Sequence, residues 1–189
     1  MASNLVVARG GVEHVPPISL AFWRWFIVFL ILLPFTCQII FKDKKYLKNE
    51  SKKLFFLGAM GCGVCGVFPF MAGMTTTVAN MGIIYTSSPI FIILISSYFY
   101  KERLNTIQFL GLGLCFVGVI SIIAKGKISL LVSLKFTSGD LWMLGAAVGW
   151  ALYAVFLLNW KSKFSLFSRF TIIAFFGAIS LLPFSLVEN

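Results

Sequence analysis

Charge is what this sequence has least of. Only 12% of its 189 residues are Asp, Glu, Lys or Arg, against about 25% in an ordinary soluble domain. That leaves too little polar surface to cover a globule in water. Carboxylates are scarcest: six, against sixteen Lys and Arg. None lies inside a complete apolar run; Asp140 and Glu188 sit at run ends. Paired buried carboxylates for intramembrane aspartyl chemistry are therefore missing. His14 is the one histidine; it has no ligand constellation and receives no role. H-E-x-x-H zinc chemistry is excluded with it. No Walker motif or glycine-rich phosphate loop is present, so ATP hydrolysis has no support. The expectation is a protein that is not an enzyme and uses no metal or cofactor.

Cysteine is sparse too. Cys37, Cys62, Cys65 and Cys115 all fall inside apolar runs. Cys62-Gly-Val-Cys65 has the C-x-x-C spacing of redox and zinc sites. No second pair, histidine or carboxylate stands near enough in sequence to complete a tetrahedral site. They read as small apolar residues of lipid-embedded helices. The N-terminal MASNLVVARGGVEHVPP lacks the basic n-region and continuous apolar h-region of a signal peptide.

Apolar residues are what is abundant. They make up 59% of the chain, 16% of it is aromatic with 21 Phe, and the mean hydropathy is +0.96. This composition predicts an all-α integral membrane protein whose first partner is the lipid bilayer. A hydrocarbon core of about 30 Å needs about 20 helical residues. Six segments qualify as full spans: Ile18–Phe41, Leu54–Met74, Met81–Tyr100, Ile107–Ala124, Leu141–Trp160 and Phe170–Val187. Ser3–Val12 spans about half a bilayer. It is either a short interfacial piece or the back half of a truncated first helix.

An internal repeat favours the truncated helix. Met1–Ile40 aligns without a gap on Trp150–Asn189, at an offset of 149, with eight identities. They are Ala2/Ala151, Val6/Val155, Ser19/Ser168, Phe26/Phe175, Leu32/Leu181, Leu33/Leu182, Pro34/Pro183 and Phe35/Phe184. The run Leu-Leu-Pro-Phe is the hardest to obtain by chance. Met1 then matches Trp150, in the middle of a helix. Five helices per repeat period invert the second copy in the membrane, the 5+5 inverted-repeat plan of many secondary transporters.

The net charge of +10 points to membrane topology and not to nucleic acid. The largest cluster, Lys42–Lys53 (KDKKYLKNESKK), lies between apolar runs as a predicted loop. With Lys101, Arg103, Lys161, Lys163 and Arg169 it gives eleven cations on one side. Lys125, Lys127 and Lys135 give three on the other. The positive-inside rule then makes loop 42–53 cytoplasmic, in the plasma (cell inner) membrane.

Several stretches together resemble the drug/metabolite transporter superfamily, specifically the EamA family. ASNLVVARGGVEHVPP leads into LAFWRWFIVFLILLP, like the family's junction of helices 1 and 2. Ala79-Asn80, Ser88-Pro89 and Lys101-Glu102-Arg103-Leu104 are similar to its proline-centred helix 4. GLGLCFVGVISII (Gly111–Ile123) and GDLWMLGAAVGWALYAVF (Gly139–Phe156) resemble its glycine-spaced helix 5 and the opening of its second repeat. The resemblance implies ten helices in two inverted repeats that carry small metabolites, often outward. Residues 1–126 would be the first repeat with its first helix truncated. Residues 139–189 would be the first two helices of the second.

Candidate site residues follow from chemistry that lipid disfavours. Pro89 removes one helical hydrogen bond and frees the Tyr85 carbonyl one turn back, for which Thr86, Ser87 and Ser88 offer hydroxyls. Either this is a tolerated kink, or it makes Asn80, Tyr85 and Ser88 line a polar cavity. Arg24 lies about 10 Å deep. It either snorkels to the interface between Trp23 and Trp25 or faces the cavity toward an anionic group. Asn4 and Tyr153 align in the repeat, and Trp150 neighbours Ala151; ordinary packing is the alternative for all three. Pro89 and Glu102 are expected to be structural, Glu102 as a surface ion pair. The glycines at 58, 61, 63, 66, 111 and 118 read as packing surfaces. They also support a second reading, a non-transporting scaffold or assembly protein.

Overall fold

Inside a bilayer every backbone N–H and C=O must be satisfied within the protein, which leaves helices as the economical solution for apolar runs. A computed structural model of the chain describes residues 15–42, 44–101, 105–124 and 137–188. All regular structure among the described residues is helical. Helix α1 is Pro17–Lys42 and α2 is Lys44–Gly58. A π-helical segment, Ala59–Val64, joins α2 to α3, Cys65–Gly73. Helices α4 (Val78–Thr86) and α5 (Ser88–Tyr100) meet at Ser87. Then come α6 (Thr106–Ala124), α7 (Ser138–Asn159) and α8 (Leu166–Glu188).

Five rods are long and apolar enough to cross a membrane: Pro17–Lys42, Lys44–Gly73, Val78–Tyr100, Ser138–Asn159 and Leu166–Glu188. They match five of the six predicted spans. The sixth, Ile107–Ala124, is also helical as α6, 19 residues long. It packs on α4, and Ile107, Leu110 and Leu114 project outward from the bundle. Ser3–Val12, Asn4 and Glu102 lie outside the described residues.

The predicted loop at 42–53 is not a loop. From Lys44 onward it is the first part of α2. KKYLKNESKK contains no proline or glycine, and its lysines and glutamate are good helix formers. Tyr46 and Leu47 pack inward, ahead of buried Leu54 and Leu57. The lysines occupy the remaining faces, so charge displaced the expected boundary without ending the helix.

The π-helical segment, AMGCGV, widens one turn in the middle of the Lys44–Gly73 rod. Two glycines in six residues lower the packing cost of the wide turn. Around it the backbones come close. A Cβ at Gly58 would lie 2.7 Å from both the Gly177 nitrogen and the Ile173 oxygen of α8. One at Gly149 of α7 would lie 2.7 Å from Val64. Lipid tails are as apolar as Leu, so helices associate through such close van der Waals packing more than through water exclusion. Gly111, by contrast, has no neighbour within 4 Å of that kind among the described residues.

Helix α7 is the centre. It contacts α3, α4, α5 and the π-helical segment, and Ala146, Ala147 and Ala151 are fully buried. Helix α8 packs along α1 and α2. The α1–α8 pair runs antiparallel. Glu188 at the end of α8 accepts the N–H groups of Ile18 and Ser19, both at 2.9 Å. At the other end the Thr36 and Thr171 hydroxyls lie 3.2 Å apart. A carboxylate on the first turn of a helix satisfies N–H groups that have no helical partner and meets the positive end of the dipole. Pro17 opens α1, where a missing N–H costs nothing.

Two polar clusters close the ends of the bundle. At one, Ser162 Oγ donates to Glu50 at 2.6 Å and the Lys163 N–H at 3.3 Å. Lys163 Nζ lies 4.3 Å from the Tyr46 ring centre. The basic stretch of α2 and the α7–α8 loop therefore share one end. Arg169 donates there to the Leu157 and Trp160 carbonyls at 3.0 and 2.9 Å, closing the C-terminus of α7. At the opposite end Asp140, 2% exposed, opens α7.

Candidate functional site

The mid-chain proline does less than expected and the residues around it do more. Pro89 falls in the first turn of α5, where its ring is accommodated. The break between α4 and α5 is stitched locally. Ser87 donates its N–H (3.1 Å) and its hydroxyl (2.5 Å) to the Ile84 carbonyl. Thr86 Oγ1 donates to the Ile83 carbonyl at 2.6 Å. The hydroxyls expected at the Tyr85 carbonyl thus serve its predecessors, and a backbone N–H of the cap reaches Tyr85.

This break leaves the Tyr85 side chain at a cavity of about 430 Å³. Six elements line it. Arg24, Trp25 and Val28 come from α1, Gly61 and Cys62 from the π-helical segment, and Cys65 and Pro69 from α3. Tyr85 comes from α4, Trp150 and Tyr153 from α7, and Phe170 from α8. The wide turn brings Gly61 against Tyr153; a Cβ there would lie 2.6 Å from the ring. Pro69 has no N–H to return to the Cys65 carbonyl.

Aromatic rings form one wall. Tyr85 and Trp150 have centroids 6.5 Å apart, and Trp150 and Tyr153 5.5 Å. Opposite stands α1. The Arg24 guanidinium carbon lies 5.1 Å from the Trp25 ring centre and 5.3 Å from that of Phe70. Two ring faces therefore hold the cation inside the bundle. Arg24 is one of the residues that line the cavity. Trp23, one residue away, is 55% exposed on the outer surface. The Trp25 Nε1 is buried with no hydrogen-bond partner among the described residues. A second cavity, of about 420 Å³, lies on another face of the π-helical segment beside Met60, Val64, Phe68 and Ser180. Among the described residues its lining carries no formal charge, and Ser180 and Trp142 are its side chains with hydrogen-bonding groups.

Of the residues read from sequence, the structure brings together Arg24, Tyr85, Trp150 and Tyr153. It places Asn80 and Ser88 elsewhere. Asn80 Nδ2 lies 3.5 Å from Asp140 Oδ1, which also accepts the Thr76 hydroxyl at 2.5 Å. Asp140 Oδ2 accepts the Thr137 N–H at 2.7 Å, the reach-back of a capping box. Asn80 thus belongs to the cluster that fastens α7 to the turn before α4. Ser88 is buried in the first turn of α5.

Trp25, Cys62, Cys65, Gly61, Pro69 and Phe170 were not foreseen as lining. The Cys62 thiol points at the Ile173 carbonyl and that of Cys65 at the Ala146 carbonyl. Trp25 had one available signal, its position beside Arg24.

Comparison with known proteins adds the family. The model of the EamA-like transporter family matches residues 1–124. The chain belongs to the EamA-like transporter family. It is 28% identical over 186 residues to the uncharacterized transporter YyaM of Bacillus subtilis (strain 168), covering 97% of this chain and 60% of that protein. It is 29% identical over 192 residues to an uncharacterized transporter of Archaeoglobus fulgidus, covering 100% and 64%. Against YdfC of B. subtilis it is 29% identical over 185 residues, covering 97% and 58%. The EamA chain thus spans about three fifths of the length of these relatives. No solved structure shows a significant match. Membership and the five apolar rods together make this an integral membrane protein of a transporter family.

Proposed function

We propose that the chain is part of a secondary transporter that moves a small metabolite by alternating access around the Arg24–Tyr153 cavity. The observation that carries this reading is the α1–α8 pair. The two helices begin at Pro17 and Leu166, the same 149-residue offset as the sequence repeat. They run antiparallel and pack side by side. An inverted repeat requires that relation between equivalent helices. The cavity lies where α1, α7 and α8 meet the π-helical segment, and π-turns recur at functional sites. In this reading α6 is the sixth crossing, residues 1–126 and 139–189 belong to opposite repeats, and the lysine-rich end faces the cytoplasm of the plasma membrane.

The scaffold alternative rests on glycine faces. Gly58 and Gly61 meet contacts within the chain, whereas Gly111 has none within 4 Å among the described residues, so α6 is the face left to that alternative. Reconstitution of the full chain into liposomes, with a panel of radiolabelled small metabolites, tests the proposal. Saturable counter-flow that Tyr153→Ala abolishes is expected. Correctly inserted protein that moves no member of the panel would refute it.

A further inference from the structure

Resting on that reading, and deepening it, we propose that the cavity takes an organic monoanion: a carboxylate on a flat, apolar or aromatic body. Three observations converge. Among the described residues that line the cavity, Arg24 carries the one formal charge and none is acidic. A cation held in low dielectric interacts more strongly with an incoming anion than it would in water.

The second observation is a pair of donors. A Cβ at Gly66 would lie 2.9 Å from Trp25 Nε1 and 3.5 Å from Arg24 Nη2. Both groups therefore come together over the bare face of one glycine. Trp25 Nε1 is buried and makes no hydrogen bond among the described residues. A buried indole N–H ordinarily has an acceptor. A carboxylate reaching Arg24 would present oxygens to that donor as well.

The third is shape. Four further rings line the cavity, Tyr85, Trp150 and Tyr153 in one series and Phe170 beside Trp25, and Val28, Gly61, Cys62, Cys65 and Pro69 add a lining without formal charge. A volume of about 430 Å³ falls in the usual range of small-molecule sites, about 300–1,000 Å³. Rings select flat bodies, and the two donors select the charged end. A zwitterion would bring an ammonium that meets no carboxylate among the described lining residues.

The test is equilibrium binding to the purified full chain in lipid nanodiscs, with three probes that share one body. These are indole-3-acetate, the neutral indole-3-acetamide and the cationic tryptamine. The anion should bind at least tenfold more tightly than either of the others. Arg24→Gln should erase that preference while leaving the amide within about twofold. Trp25→Phe and Gly66→Ala should each reduce it severalfold, by removing one donor and by displacing both. Equal or tighter binding of the amide or of tryptamine overturns the proposal, as does no binding of any probe to monodisperse, helical protein. The wild-type comparison needs no variant to fold. Proteoliposome flux separates the two readings. Saturable flux of a neutral or cationic solute without anion preference sinks this inference and leaves transport standing. Selective anion binding with no flux of any solute does the reverse.

Discussion

In the proposed repeat helices α1 and α8 are equivalent, and comparing them separates what they share from what only α1 carries. Both begin at equivalent positions and contain proline at equivalent positions, Pro34 and Pro183. Two residues after each proline stands a buried hydroxyl bonded back into its own helix. Thr36 reaches the Leu32 carbonyl and Ser185 the Leu182 carbonyl, both at 2.9 Å. This is framework: each hydroxyl is satisfied on a carbonyl of its own helix, one other than the Leu30 or Ile179 carbonyl that the proline frees. The copies diverge at 24–25. Helix α1 has Arg-Trp there, and α8 has Ile173-Ala174 in the matching places, both buried in the bundle. Shared positions keep two helices packable; the unshared pair supplies the cation and the donor.

The sharpest way to break that contrast is to give α1 the residue of α8. Arg24→Ile should reduce saturable flux roughly a hundredfold, since losing one partner of a buried charge pair costs about 2–5 kcal/mol. The same change should leave insertion intact or improved, because an arginine at mid-membrane costs about 2.5–3.5 kcal/mol on insertion scales. Flux and detergent-solubilised melting temperature, read on one preparation, check both halves. Unchanged flux would move the site away from α1.

Gly58→Leu attacks the packing that both copies share. Its side chain would meet the backbone of Gly177 and Ile173, so about 3 kcal/mol of destabilisation is expected from forced overpacking. Thermal unfolding by circular dichroism reads it. A neutral result would mean that α2 and α8 do not approach closely. Next in size is Asp140→Ala at the far end, which removes the cap of α7 and the acceptor of Thr76 and Asn80. Caps of this kind are worth about 1 kcal/mol. The effect should appear in stability, with anion preference unchanged. Smallest is the matched pair Thr36→Ala and Ser185→Ala. Each should cost about 0.6 kcal/mol, the mean for such hydroxyls in membrane helices. Similar values for the two would support their equivalence, and a wide gap would count against it.

Span positions were legible because lipid allows apolar runs few options besides helix. Five of the six predicted segments overlap the long apolar rods, and the shared Leu-Leu-Pro-Phe run is what pairs α1 with α8 in the proposed repeat. What sequence did not yield was facing. In α7 apolar residues occur all round, so periodicity gives no inner side. Trp23 and Trp25 have the same residue type two positions apart. One lies at the outer surface and the other lines the cavity. Nothing local separates them. Asn80 was a reasonable polar candidate, and its distance from the cavity is decided by Asp140, sixty residues away. The π-helical segment left only two glycines as its trace.

Orientation of the two copies is the claim on which the cavity, its asymmetry and the transport reading all depend. Paired cysteines test it most directly, in membranes, on the full chain with its native cysteines replaced. Thr36→Cys combined with Thr171→Cys should form a disulfide on mild oxidation, because those hydroxyls lie 3.2 Å apart. Crosslinking of Thr36→Cys with Ser185→Cys in its place would mean parallel copies and would contradict the account.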